Sequence, residues 1–155
     1  MLSESARMKS AAEARFRVQA PNSTPRAIKV MALDAAGEAV VRRLAAIGWT
    51  HATFFTAGDA LSDLAGHITS VTDEVDTADL VILVAGPGGR AHAAPVIGQA
   101  CSLRRVMTTG FIVGVTSGSE RALAKTLAQL RPWSLMVVIA DSDDYINDMM
   151  TALRA

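Results

Sequence analysis

The chain has 155 residues, half of them hydrophobic and 19% charged, which suffices for one domain with a substantial core and excludes disorder. Fifteen basic residues balance fifteen acidic ones, which excludes the basic excess of a dedicated nucleic-acid binder. The single cysteine, Cys101, excludes an internal disulfide or a cysteine metal cluster, and no apolar run approaches the roughly 18–20 residues of a membrane span.

Residues 1–26 read as an appendage to a domain spanning 27–155. They carry a net charge of +3, the rest of the chain −3. Ser5 to Gln19 is rich in helix formers, with Leu2, Met8, Ala12, Phe16 and Val18 as a partial apolar stripe, and Pro21 and Pro25 end it. The segment is either a variable tail or an arm that packs on a neighbouring subunit. No apolar signal core precedes Pro21, so the expectation is a cytoplasmic protein in a reducing compartment, without a membrane partner.

Short apolar runs then alternate with helical patterns. Ala27–Leu33 predicts a strand, and Glu38–Ile47 a helix ended by Gly48. His51–Thr56 predicts a strand, Asp59–Leu64 one or two helical turns, and His67–Val71 a short strand. The acidic run Asp73-Glu74-Val75-Asp76 reads as a solvated turn. Asp79–Ala85 is so apolar that both its faces must be covered. Gly86–Gly89 forms a glycine loop, and Ala91–Cys101 the helix after it. Gly110–Val115 is another buried strand, and Ser117-Gly118-Ser119-Glu120 has capping-box spacing for a helix to Leu130, stopped by Pro132. Leu135–Ala140 is the last strand and Tyr145–Leu153 the last helix. This alternation predicts a three-layer, doubly wound α/β fold on a mostly parallel, Rossmann-like sheet.

Ligands in such sheets bind beyond the carboxyl ends of the strands. The Gly86-Pro87-Gly88-Gly89-Arg90 loop therefore has two readings. Its amides and the following helix N-terminus form an anion nest with Arg90 as phosphate clamp and His92 beside it, or Gly and Pro simply make a tight turn. In the first loop, Leu33-Asp34-Ala35-Ala36-Gly37, only the last glycine of a dinucleotide fingerprint is present. Asp34 reads as a turn residue or cap for the helix at Glu38; as a free carboxylate it repels phosphate unless a cation such as Arg90 intervenes. Asp141-Ser142-Asp143-Asp144 admits a hard cation, but caps the last helix more naturally. Ser117 and Ser119 read as caps, and the histidines His51, His67 and His92 lack metal-ligand spacing.

At the glycine loop the sequence resembles a known family. Asp76-Thr77-Ala78-Asp79-Leu80-Val81-Ile82-Leu83-Val84-Ala85-Gly86-Pro87-Gly88-Gly89, followed by Ala93-Ala94-Pro95-Val96-Ile97, is similar to the bacterial tubulin homologue FtsZ, whose signature loop precedes Ala-Ala-Pro-Val-Ile. Ile28-Lys29-Val30 with Gly37-x-Ala39-Val40-x-Arg42 resembles its first unit. Gly110–Thr116 and Leu135–Asp141 match later strands, in order, from about residue 27 to 145. The resemblance implies a GTP-binding domain. The departures fall on the nucleotide contacts: the signature loop is two residues shorter and reads Arg90-Ala91-His92 without threonine. The first loop reads Asp34-Ala35-Ala36, and Glu38 and Val41 stand where the family has asparagines. Glu120 and Arg121 stand for a Glu and an Arg of the ribose loop, which here is shortened to Thr116–Arg121. In the family a central helix and a second domain, which supplies the catalytic loop, come after this domain; the expectation is that this chain lacks both.

The expected function is therefore that of a degenerate nucleotide domain acting as a binding, regulatory or scaffold module rather than a GTPase. The alternative is a small-ligand binder or enzyme that holds a nucleotide (GTP, GDP or another) or a phosphorylated metabolite on Gly37, Gly86, Gly88, Gly89, Arg90 and His92, with Asp34, Ser117, Glu120 and Asp141 as secondary contacts. A third is a structural subunit docking through residues 1–26. A homo-oligomer or a partner protein is expected, and no metal.

Overall fold

Seven short segments find enough β-branched and apolar residues to form one sheet. In the computed structural model, which describes residues 25–89, 91–116 and 118–155, the strands are β1 (Ile28–Ala32), β2 (Ala52–Ala57), β3 (Leu61–Asp63), β4 (Ile68–Thr69), β5 (Leu80–Ala85), β6 (Met107–Val113) and β7 (Met136–Ala140). The helices are α1 (Ala35–Ala45), α2 (Val71–Asp76), α3 (Ala94–Arg104), α4 (Glu120–Leu130) and α5 (Asp144–Ala152), with a 3-10 turn at Arg131–Trp133. The N-terminal arm up to residue 24, Arg90 and Ser117 lie outside the described residues.

The strand order is β4-β3-β2-β1-β5-β6-β7. All pairs are parallel except β2/β3 and β3/β4. The fully buried β5 lies in the interior of the sheet, between β1 and β6, as its unbroken apolar run requires. On one face Val75 of α2, Ala94, Ile97 and Cys101 of α3 and Leu130 of α4 pack against Met31, Val81, Leu83 and Ile112. On the other, Val40, Val41 and Leu44 of α1 and Ile146 and Met150 of α5 pack against Ile28, Val30, Ile82 and Phe111. Helices thus cover both sides of the sheet, giving the three-layer doubly wound architecture.

Two local expectations are corrected. Residues 61–63 form a strand, not a helical turn. Gly58-Asp59-Ala60 closes a hairpin in which Ala57 pairs with Leu61 and Phe55 with Asp63, and Leu61 is buried. The Asp63 carboxylate then accepts from the backbone amides of Ala65 and His67; the His67 amide holds its pKa below the usual carboxylate value. The acidic run at 73–76 is helical, not a turn. Ser70 caps the helix by accepting from Asp73 N–H at 3.4 Å. Val75 is fully buried and Glu74 pairs with Lys29 at 2.9 Å, so one face of α2 belongs to the core.

Cap chemistry moves other boundaries. α1 begins at Ala35 because Asp34 is its N-cap. α3 begins at Ala94, with Pro95 in its first turn. Two expected caps do not form. Ser119 Oγ engages the backbone of Thr116, and the Asp143 carboxylate forks onto Arg43 at 2.7 and 3.2 Å.

Cys101 is buried in the core, and burial pushes its thiol pKa up, only partly opposed by a hydrogen bond with Thr108 and by Arg104. The folded protein should therefore react with a thiol reagent at pH 8 only as fast as it opens; rapid stoichiometric labelling contradicts this packing. Because the folded pKa lies above the unfolded one, the stability contributed by the protonated thiol is complete below about pH 8.5 and is lost as pH rises through the folded value.

Candidate functional site

The chain leaves β1 toward β2 on one side of the sheet and leaves β5 toward β6 on the other. The crevice beyond the carboxyl ends of β1 and β5 is therefore the topological switch point, where a doubly wound sheet places its ligand. Two loops line it: Leu33-Asp34 at the start of α1, and Gly86–Gly89 after β5.

Asp34 occupies the space between them. Its carboxylate accepts from Gly37 N–H at 2.8 Å, which satisfies an orphan donor at the α1 N-terminus. The same carboxylate accepts from Gly86 N–H at 2.9 and 3.1 Å. One side chain thus joins loops 52 residues apart and sets a negative charge against the helix dipole. The fit is close: a Cβ on Gly89 would lie 1.7 Å from Asp34 Oδ2. A Cβ on Gly37 would lie 2.1 Å from the carbonyl oxygen of Val84, so this glycine lets α1 descend onto β5.

The rest of the glycine loop is tied to α4. Gly88, at φ +73°, turns its N–H to Thr126 Oγ1 at 2.9 Å and to the Ala122 carbonyl at 3.1 Å. Thr126, itself fully buried, donates in turn to Gly86 O at 3.2 Å. Gly89 N–H approaches Gly86 O at 3.4 Å, and Pro87 has no N–H. Thr126 was not singled out from the sequence; the available clue was a lone β-branched polar residue in the Ala- and Leu-rich α4. Thr126→Val keeps the shape but removes both hydrogen bonds, and should cost about 1–2 kcal/mol. Urea denaturation of this variant beside Thr126→Ser checks this; equal stability of Val, Ser and parent would contradict the clamp.

The remaining site residues are dispersed. His92 is exposed and borders a cleft of about 390 Å³ with Leu33, Asp34, Gly58 and Asp59. A neighbouring cavity of about 310 Å³ shares Gly58, Asp59 and His92 and reaches Val71 and Ile97. Glu120 starts α4 and is exposed. Asp141 follows β7, two strands removed from β5, and is exposed. The structure thus brings Asp34, Gly37, Gly86, Gly88 and Gly89 together with His92 at the rim, and Asp141 lies apart. Among the described residues no group of three His, Cys, Asp or Glu side chains could hold a metal ion, and no helix is long and apolar enough to cross a membrane.

No protein-family model matches the chain, and no curated protein matches it in sequence. Its fold does match solved structures. An empty FtsZ dimer of M. jannaschii superposes with a TM-score of 0.59 at 13% identity, covering 98% of this chain and 57% of that one. A mutant of M. jannaschii FtsZ gives 0.59 at 10% identity, covering 97% of this chain and 60% of that one. The chain therefore has the fold of the FtsZ N-terminal nucleotide domain and spans less than two thirds of the length of those chains.

Proposed function

We propose that this chain is an FtsZ-like nucleotide-domain module whose phosphate loop is closed from within, and that it works as a binding, regulatory or scaffold protein rather than as a GTPase. The observation that carries the reading is Asp34. Its carboxylate sits on the Gly37 and Gly86 amides, two donors that an incoming phosphate needs. Gly88 is committed to Thr126 and Ala122. A phosphate must displace a like-charged group and break charge-assisted hydrogen bonds that contribute about 1.5–3 kcal/mol each. That lowers affinity by roughly a hundredfold or more. No cofactor is assigned. A balanced charge argues against a nucleic-acid partner, and a homo-oligomer or a partner protein, reached in part through residues 1–26, is the proposed alternative. A single buried cysteine fits a cytoplasmic setting.

A second reading has one observation in its favour. The cleft beside the loop, lined by Asp59, His92 and Asp34, has the size for a small polar ligand. A nucleotide or phosphorylated metabolite held by Gly86–Arg90 would reach into it. Calorimetric titration of the full chain with GTP, GDP, ATP and NAD, with and without Mg²⁺, separates the two. The closed-loop reading expects no binding tighter than millimolar. Micromolar binding of any of them, abolished by Arg90→Ala, overturns it in favour of the second.

A further inference from the structure

The two edges of the sheet are built differently. The β4 edge is blunted: only Ile68 and Thr69 form it. The β7 edge is five residues long, Met-Val-Val-Ile-Ala, with no charge and no proline. Natural sheets blunt such edges or cover them, because an open apolar edge is a template for another strand. Here Leu135 is 77%, Met136 44% and Ile139 46% exposed, and among the described residues no strand pairs with the outer side of β7.

The backbone of that edge is ordered for pairing. Leu80 N–H donates to Ala27 O and Leu33 N–H to Val84 O, so the even-numbered residues of β5 bond toward β1. Parallel strands alternate. Carried through the β5/β6 and β6/β7 registers, the alternation turns the N–H and C=O groups of Val137 and Ile139 outward.

We propose that β7 pairs antiparallel with β7 of a second copy, about a two-fold axis beside Val138, to make one continuous sheet. In this register Val137 of each copy exchanges both backbone hydrogen bonds with Ile139 of the other, and Met136 lies opposite Ala140. The charges agree with it. Arg131 precedes the strand, Asp141 and Asp144 follow it, and all three are exposed. Antiparallel pairing brings the end of the strand that follows Arg131 to the end of the partner copy's strand that precedes Asp141 and Asp144, so opposite charges meet at both ends of the interface, and among the described residues no ion pair within the chain engages any of the three. A self-complementary patch of this kind is what an isologous dimer requires. It commits the edge to a second copy rather than to an unlike strand.

Sedimentation equilibrium of the full chain at micromolar concentration should give twice the 16.3 kDa chain mass. Met136→Lys with Ile139→Lys should weaken association at least about a hundredfold and return the chain mass, with an unchanged circular-dichroism spectrum. A cysteine pair tests the register without a destabilising charge. Directly opposed residues of a non-hydrogen-bonded antiparallel pair have Cα atoms about 4.5 Å apart, within disulfide range. Val138→Cys should therefore oxidise to a covalent dimer, whereas Ile68→Cys on the opposite edge should not cross-link at a comparable rate. A monomer for the unaltered chain overturns the proposal and leaves the edge to another occupant, residues 1–24 or a strand of a different protein. A dimer that survives the lysine pair, or in which Val138→Cys does not cross-link, overturns it equally.

Discussion

Asp34→Ala should lower the stability of the chain by about 3 kcal/mol, and Asp34→Asn by about 1 kcal/mol. The difference follows from what each variant leaves unpaired. Alanine removes the N-cap of α1, a loss of about 1 kcal/mol. It also strands Gly86 N–H, whose acceptors among the described residues are the Asp34 oxygens, at about 1–3 kcal/mol. Asparagine keeps an oxygen at the Oδ1 position, which accepts from Gly37 N–H at 2.8 Å and Gly86 N–H at 3.1 Å, but loses the Oδ2 acceptor of Gly86 N–H and the charge. Urea unfolding should show a lower midpoint for both variants with an unchanged slope. Function should move in the opposite direction from stability: with the carboxylate gone, pyrophosphate or a nucleotide should bind Asp34→Ala more tightly than the parent. Were Asp34 a ligand contact instead, alanine would weaken binding.

Gly37→Ala should be more damaging still, at about 3–4 kcal/mol, because the clash is with backbone. The new methyl would stand 2.1 Å from the Val84 carbonyl oxygen and 2.8 Å from its carbon. Neither atom can rotate away, since Val84 belongs to the interior strand β5 and its carbonyl accepts from Leu33 N–H at 2.9 Å. Relief requires α1 to lift from β5, which opens the contacts of Val40 and Val41. Overpacking of this kind costs about 1–3 kcal/mol when side chains yield and more when they cannot, a large part of a typical 5–15 kcal/mol total. Gly58→Ala is the control. Nothing lies within 4 Å of its Cβ, so thermal unfolding should place it within about 1 kcal/mol of the parent. Near-equal melting of the two variants would contradict the close approach of α1 to β5.

The fold was legible where burial dictates composition. The expected strands at 79–85 and 110–115 fall on β5 and on the second half of β6, because both faces there meet helices and apolar residues satisfy that; the start of β6 at Met107-Thr108-Thr109 escapes the reading, since its buried threonines break the apolar run. The failures fall on short segments. Leu61–Asp63 has three residues, too few for a period, and becomes a strand only because β2 lies beside it. Asp73–Asp76 reads as a solvated turn until Val75 is buried and Lys29, distant in sequence, meets Glu74, and Val71, read as the end of a strand, opens the same helix. The site was legible by halves. Asp34 as a cap follows from its place before α1. Its second task depends on β1 and β5 being neighbours, which strand order decides and local sequence does not contain. Thr126 escaped for the same reason: the contact with Gly86 and Gly88 spans about forty residues.

The most direct measurement of the closed loop is the backbone amide resonances of Gly37, Gly86 and Gly88 in the full ¹⁵N-labelled chain as GTP with Mg²⁺ is added. The closed-loop account predicts that these three amides keep their shifts up to millimolar nucleotide, since each already donates to Asp34, Thr126 or Ala122. Saturable shifts of Gly37 and Gly86 at micromolar nucleotide would contradict it, and would mean that phosphate displaces the Asp34 carboxylate from the crevice.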